Sequence, residues 1–202
     1  MKINDVSNND EIVIDKEKTN KKKLIILVSS IILLAAIIVS VIFVIDYLHK
    51  RSLYNKYAKP FAENEMLTKA NDNGYYDTRD HPELPQSYGA SISELDEFDK
   101  YGIALVQVLD PTYYDEKTAK PITKRTYNLC YQVYPDETSE FYVNIHDEGK
   151  DDKTIWFTPD MEYIKGADKE LYFDANKADI KDRLDKLFDF FGKENFCMNV
   201  RK

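Results

Sequence analysis

The chain has 202 residues, of which 32% are charged, and a formal net charge of −8. That balance excludes nucleic-acid binding through a basic surface. Six glycines with no Gly-x-Gly, and no serine in a Gly-x-Ser-x-Gly elbow, exclude a phosphate-cradling loop and a hydrolase nucleophile of the elbow type.

Residues 1–23 carry six lysines against five acids and few apolar residues, so they cannot bury a core. They read as a short cytoplasmic tail that ends in the basic stop Lys21, Lys22 and Lys23.

Residues 24–45 follow without a charge, and Ser29, Ser30 and Ser40 are their only polar members. At about 1.5 Å per residue such a helix spans roughly 33 Å, enough for a hydrocarbon core of about 30 Å. A cleaved signal peptide would need a shorter apolar core and a small-residue cleavage pattern, and neither is present. The segment is therefore expected to be an uncleaved single-pass anchor whose partner is the lipid bilayer. Basic residues flank it five to four in favour of the N-terminal side (Lys16, Lys18 and Lys21 to Lys23 against Lys50, Arg51, Lys56 and Lys59). The positive-inside rule then places the N-terminus in the cytoplasm and the C-terminal domain outside the cell membrane.

Residues 46–74 read as a juxtamembrane stalk. Leu53, Tyr57 and Phe61 recur at helical spacing, and Pro60 interrupts them. The folded domain is expected over residues 75–202. Within it, Ser91-Ile92-Ser93-Glu94 has the form of a capping box ahead of a short helix that Gly102 ends. Ile103 to Leu109 is apolar on both faces except Gln107, as in a strand covered from two sides.

Tyr127, Leu129, Tyr131 and Val133, then Phe141, Val143 and Ile145, alternate at period two and predict an antiparallel hairpin with Leu129 opposite Val143. A strand at Lys153 to Phe157 follows, with weaker strands at Met161 to Ile164 and Glu170 to Phe173. Asn176 then opens an amphipathic helix with Ile180, Leu184, Leu187, Phe188 and Phe191 on one face, and Gly192 stops it. The fold class is a single N-terminal transmembrane helix plus a small α+β domain, an antiparallel sheet packed by a C-terminal amphipathic helix.

Chemistry-bearing patterns are sparse. Cys130 and Cys197 could form a disulfide, whose loop of about 67 residues would contribute roughly 4 kcal/mol. Alternation, however, puts Cys130 on the face away from the hairpin core, so two free thiols are the alternative. His49, His81 and His146 are too far apart for a metal-ligand spacing, and an EF-hand alignment on Gly74 puts Lys69 where an aspartate is required. No metal, cofactor or catalytic residue is expected. Tyr75, Tyr76, Tyr113 and Tyr114 fall in predicted loops, where exposed rings could stack on sugars or line an interface, and they are the candidate binding residues.

The expected function is a membrane-tethered extracytoplasmic binding or interaction module for a protein, a cationic peptide or a cell-wall component. Two alternatives stand beside it. One is a subunit of a membrane complex, packing through Ser29, Ser30, Ala35, Ala36 and Ser40. The other is a carboxylate-dependent hydrolase using Asp77, Asp80 and Glu83.

Overall fold

A computed structural model describes the backbone of residues 6–110 and 125–202, and the side chains of residues 21–110 and 125–202. The chain forms two compact units, Met1–Leu48 and His49–Lys202.

The first unit is helical. Helix α1 covers Val6–Tyr57, so the helix begins well ahead of the apolar run and takes in most of the tail that sequence alone leaves without structure. From Lys21 to His49 every side chain is exposed, Leu24 at 59%, Phe43 at 70% and Ile45 at 62% among them. This is one helix near the N-terminus long and apolar enough to cross a membrane. A surface of that kind is costly in water and at home in hydrocarbon. The Ser30 and Ser40 hydroxyls donate to the carbonyls of Ile26 and Ala36, each at 2.8 Å. Their polar atoms are thereby satisfied within their own helix, as a hydrocarbon setting requires.

The second unit is an eight-stranded antiparallel meander in which strand order follows sequence order. Its strands are β1 (Thr68–Lys69), β2 (Tyr75–Asp77), β3 (Ser87–Ile92), β4 (Ala104–Leu109), β5 (Arg125–Val133), β6 (Ser139–Asp147), β7 (Lys153–Phe157) and β8 (Tyr163–Gly166). The short helix α2 (Lys59–Ala62) precedes it, α3 (Phe98–Tyr101) interrupts it between β3 and β4, and α4 (Lys177–Phe191) follows it.

Alternation decides the faces. The hairpin of β5 and β6 pairs Leu129 with Val143 and Tyr131 with Phe141, the register the apolar pattern predicts. Those four side chains are wholly buried. A slip of one residue would turn each of them outward. On the same face lie Ala90 and Ile92 of β3, Val106 and Val108 of β4, and Ile155 and Phe157 of β7. Helix α4 covers this face with Ile180, Leu184, Leu187, Phe188 and Phe191, all buried.

Four expectations are corrected. β4 is buried on one face only, through Ala104, Val106 and Val108, while Leu105, Gln107 and Leu109 stay half-buried on the other. Glu170 to Phe173 is not a strand. Asp168 accepts the Leu171 amide at 2.8 Å and winds Lys169–Phe173 into a π turn that drives Phe173 into the core. The capping box does not form, because Ser91 is a residue of β3 and the turn begins at Glu94. Finally, residues read as a stalk belong to the domain: Leu53, Tyr57, Ala58 and Phe61 are buried in its core. Phe61 meets Tyr131, Phe191 and Phe196 at ring-centroid distances of 6.1, 5.5 and 5.4 Å. The stripe at helical spacing is a core stripe of the domain. Burying a phenylalanine of this kind is worth several kcal/mol, on the order of 3 to 5 for its truncation to alanine.

Candidate functional site

β2 separates two of the tyrosines singled out by sequence. Tyr75 and Tyr76 lie in a strand, not a loop, and adjacent strand residues face opposite ways. Tyr75 pairs with Ser91 and shares its face with Gln107, whose amide nitrogen is 3.5 Å from the Tyr75 hydroxyl. Tyr76 pairs with Ala90 on the core side and packs against the margin of the core. Tyr113 and Tyr114 lie outside the described residues.

Tyr76 opens onto a groove of about 470 Å³ that sequence alone does not reveal. Three distant stretches of chain build it. Tyr54 comes from the last turns of α1, Gly74 and Tyr76 from the start of β2, and Ile92, Ser93, Glu94, Leu95 and Asp96 from the end of β3 and the turn that follows.

Gly74 sets the close approach of the second and third stretches. Its carbonyl accepts the Ile92 amide at 2.9 Å, its φ is +73°, and a Cβ there would stand 2.3 Å from the Ile92 carbonyl oxygen. The backbone next anchors to β4, since the Ser93 amide donates to the Ile103 carbonyl at 3.1 Å. The chain then turns into the one-turn 3-10 segment Leu95–Glu97, which presents Glu94 and Asp96.

The groove's chemistry is aromatic and acidic. Burial raises the pKa of Tyr54, and the proximity of Tyr76 and Glu63 adds to the effect, so the phenol stays neutral and offers a π face. Glu94 and Asp96 are exposed, and among the described residues neither makes an ion pair.

Elsewhere several of the domain's acids are held by arginines. At the far end of β4, Asp110 accepts two bonds from Arg183, at 2.7 and 3.3 Å, and the Arg183 guanidinium lies 4.5 Å from the Tyr127 ring. Arg125 clamps Asp147 at 2.5 and 2.8 Å and reaches Asn176 at 2.8 Å. Asn176 also receives the Tyr127 hydroxyl at 2.9 Å, so the residue expected to cap α4 serves this network instead.

The remaining candidates sort by partner. Arg79 holds Asp77 through bonds of 2.8 and 2.9 Å and keeps its carboxyl below the usual carboxylate range. Glu83 is also held low, first by the amide of its own backbone and then by His81. Both therefore favour the ionised form, which suits charge pairing and not proton donation.

Cys130 and Cys197 are both free and both buried. The possible disulfide does not form in this structure, because the two thiols lie on opposite faces of the sheet. Cys130 lies on the row of Gln107 and Tyr142, where its thiol is 3.3 Å from the Asn128 side-chain oxygen and burial pushes it up to about 12. Cys197 sits on the core side, its amide donating to the Tyr131 hydroxyl at 2.8 Å and its thiol to the Glu137 carbonyl at 3.1 Å. His146 stands opposite Thr126 and pairs with Asp152 at 2.7 Å, well along the strand from Cys130, so no nucleophile and base are brought together there. Among the described residues no group of three or more His, Cys, Asp and Glu is placed to hold a metal ion.

No protein family, curated protein or solved structure matches the chain.

Proposed function

We propose that the chain is a membrane-tethered binding module, held by residues 24–45 with its sheet domain outside the cell, and that the groove of Tyr54, Tyr76, Glu94 and Asp96 is its binding surface. The observation that carries this reading is the groove itself. It places aromatic rings and two carboxylates that make no ion pair among the described residues around one accessible cleft of ligand size. Supporting the tether are the exposed apolar helix and the flanking lysines.

The serines of the helix favour a plain anchor over a polar helix-packing face, because Ser30 and Ser40 spend their hydroxyl protons on their own carbonyls. Of the carboxylates of the hydrolase alternative, Asp77 and Glu83 are held toward the ionised form, which is unsuited to proton donation.

Two measurements on intact cells test the proposal. Asp151→Cys puts a thiol in the exposed turn between β6 and β7, where a membrane-impermeant maleimide should label it. The native thiols, being buried, should stay silent without denaturant. A photoreactive benzophenone side chain in place of Tyr76 should then yield a defined cross-linked species that the same group at Lys181, on exposed helix surface, does not. Labelling only after lysis would overturn the orientation, and identical cross-linking at both positions would overturn the groove as binding surface.

A further inference from the structure

We infer that the occupant of the groove is an extended basic peptide, one of whose lysine or arginine side chains lies along Tyr54 and Tyr76 with its charge at Glu94 and Asp96. The inference rests on reading the groove as the binding surface and goes further by naming what fits it.

Charge complementarity is the first argument. The turn Ser93-Glu94-Leu95-Asp96-Glu97-Phe98-Asp99 carries four acids, of which Asp99 is engaged by Lys50 at 3.5 Å, while Glu94 and Asp96 border the groove without a cation. An anionic or neutral occupant would leave those carboxylates unmatched or repelled.

Wall chemistry is the second. Ile92, Leu95 and the two phenol rings form an apolar lining just behind the acidic rim. A basic side chain has the complementary form, an aliphatic stem with a charged head. The stem removes apolar wall from water while the head keeps its charge among carboxylates and over π faces. The domain already uses this pairing internally, with Lys56 set 4.6 Å from the Tyr57 ring centre and Lys100 set 4.3 Å from that of Tyr101.

Shape is the third. The cleft is open to solvent and not enclosed, which suits a peptide laid across it better than a small molecule engulfed by it.

The test uses the full chain in nanodiscs of neutral phosphatidylcholine, with fluorescent peptides of alternating glycine and lysine, glycine and glutamine, or glycine and glutamate, read by anisotropy against empty nanodiscs. The lysine peptide should bind, the other two should not, and raising salt from about 0.05 M to about 0.3 M should weaken binding several-fold. Glu94→Gln combined with Asp96→Asn should weaken the lysine peptide about tenfold or more. Tyr76→Leu, which keeps the apolar wall and removes the π face, should cost less than the double charge variant. Equal binding by the double variant would overturn the inference, as would equal binding of the glutamate peptide or binding to empty discs alone. The assay does not depend on which side of a membrane the domain occupies in cells. A cytoplasmic domain would sink the proposed orientation and leave this result standing, whereas a cross-linked partner in cells with no response to basic peptide would sink this inference alone.

Discussion

Two pairs of carboxylates in the sheet domain are treated in opposite ways. Asp110 and Asp147 are gripped by arginines and only 11% and 13% of their side chains is exposed. In the acidic turn that follows β3, Glu94 and Asp96 stand in solvent and make no ion pair among the described residues. A buried, paired carboxylate contributes to specifying a fold, and an exposed, unmatched one contributes almost nothing to stability. The contrast supports an architectural role for the arginine-bound pair and the binding role proposed for the exposed pair.

The sharpest way to break this comparison is Arg183→Leu. It leaves Asp110 nearly buried without its cation, and thermal unfolding should show a loss of about 3 kcal/mol. A loss below about 1 kcal/mol would mean that the arginine contact is no more structural than an ordinary surface pair.

Acid should separate the paired carboxylates from the exposed ones next. Arg125 holds Asp147 below the usual carboxylate range, Thr138 and then Arg201 do so for Asp136, and Lys56 with Tyr57 do so for Glu137. A carboxyl depressed in the folded state binds its proton more readily when unfolded. Its contribution is therefore complete above the unfolded value of about 4 and is lost as pH falls through the lower folded value. The melting temperature should hold from neutrality to about pH 5 and fall steeply below about pH 4, with Asp147→Asn flattening that fall.

The smallest effect is expected at the groove. Glu94→Gln with Asp96→Asn should change stability by less than about 0.5 kcal/mol while weakening capture of basic peptide about tenfold or more. A large destabilisation would reclassify the acidic turn as structural.

How much of this was legible in the sequence depended on the distance over which each feature is encoded. The β5–β6 register was readable because both strands announce their buried face by alternation within a few residues, and α4 because its five apolar residues fall on one stripe. The stripe of Leu53, Tyr57 and Phe61 was equally visible, but nothing local says that its partners are Tyr131, Phe191 and Phe196, so it read as a stalk. β3 passed unnoticed because Ser87, Gly89, Ala90 and Ser91 have weak strand preference. Gly89 is there since a Cβ would come within 3.0 Å of the Tyr75 hydroxyl and 3.1 Å of the Gln107 amide.

Of the groove, sequence supplied Tyr76 alone, picked for exposure and paired with a neighbour that faces the other way. Tyr54, Glu94 and Asp96 carry no local mark of a site. Their cluster exists only because Gly74 lets β2 and β3 close upon each other. The one available signal was the density of acids after Ser93, which resembled helix capping more than a binding rim.

The meander has a consequence for how the chain is made. Every strand pairs with the strand synthesised immediately before it, so each hairpin has its partner as soon as it emerges, and no early segment waits for a distant one within the sheet. The lid over the sheet obeys the opposite rule. Phe188, Phe191 and Phe196, which close the aromatic cluster around Phe61, are translated only after the last strand of the sheet. A nascent chain stopped before Lys177 would hold a nearly complete sheet with one apolar face bare. Ribosome stalling or C-terminal clipping should therefore create the most aggregation-prone form of this protein, whereas loss of the tail before Lys21 should leave the sheet domain's core untouched.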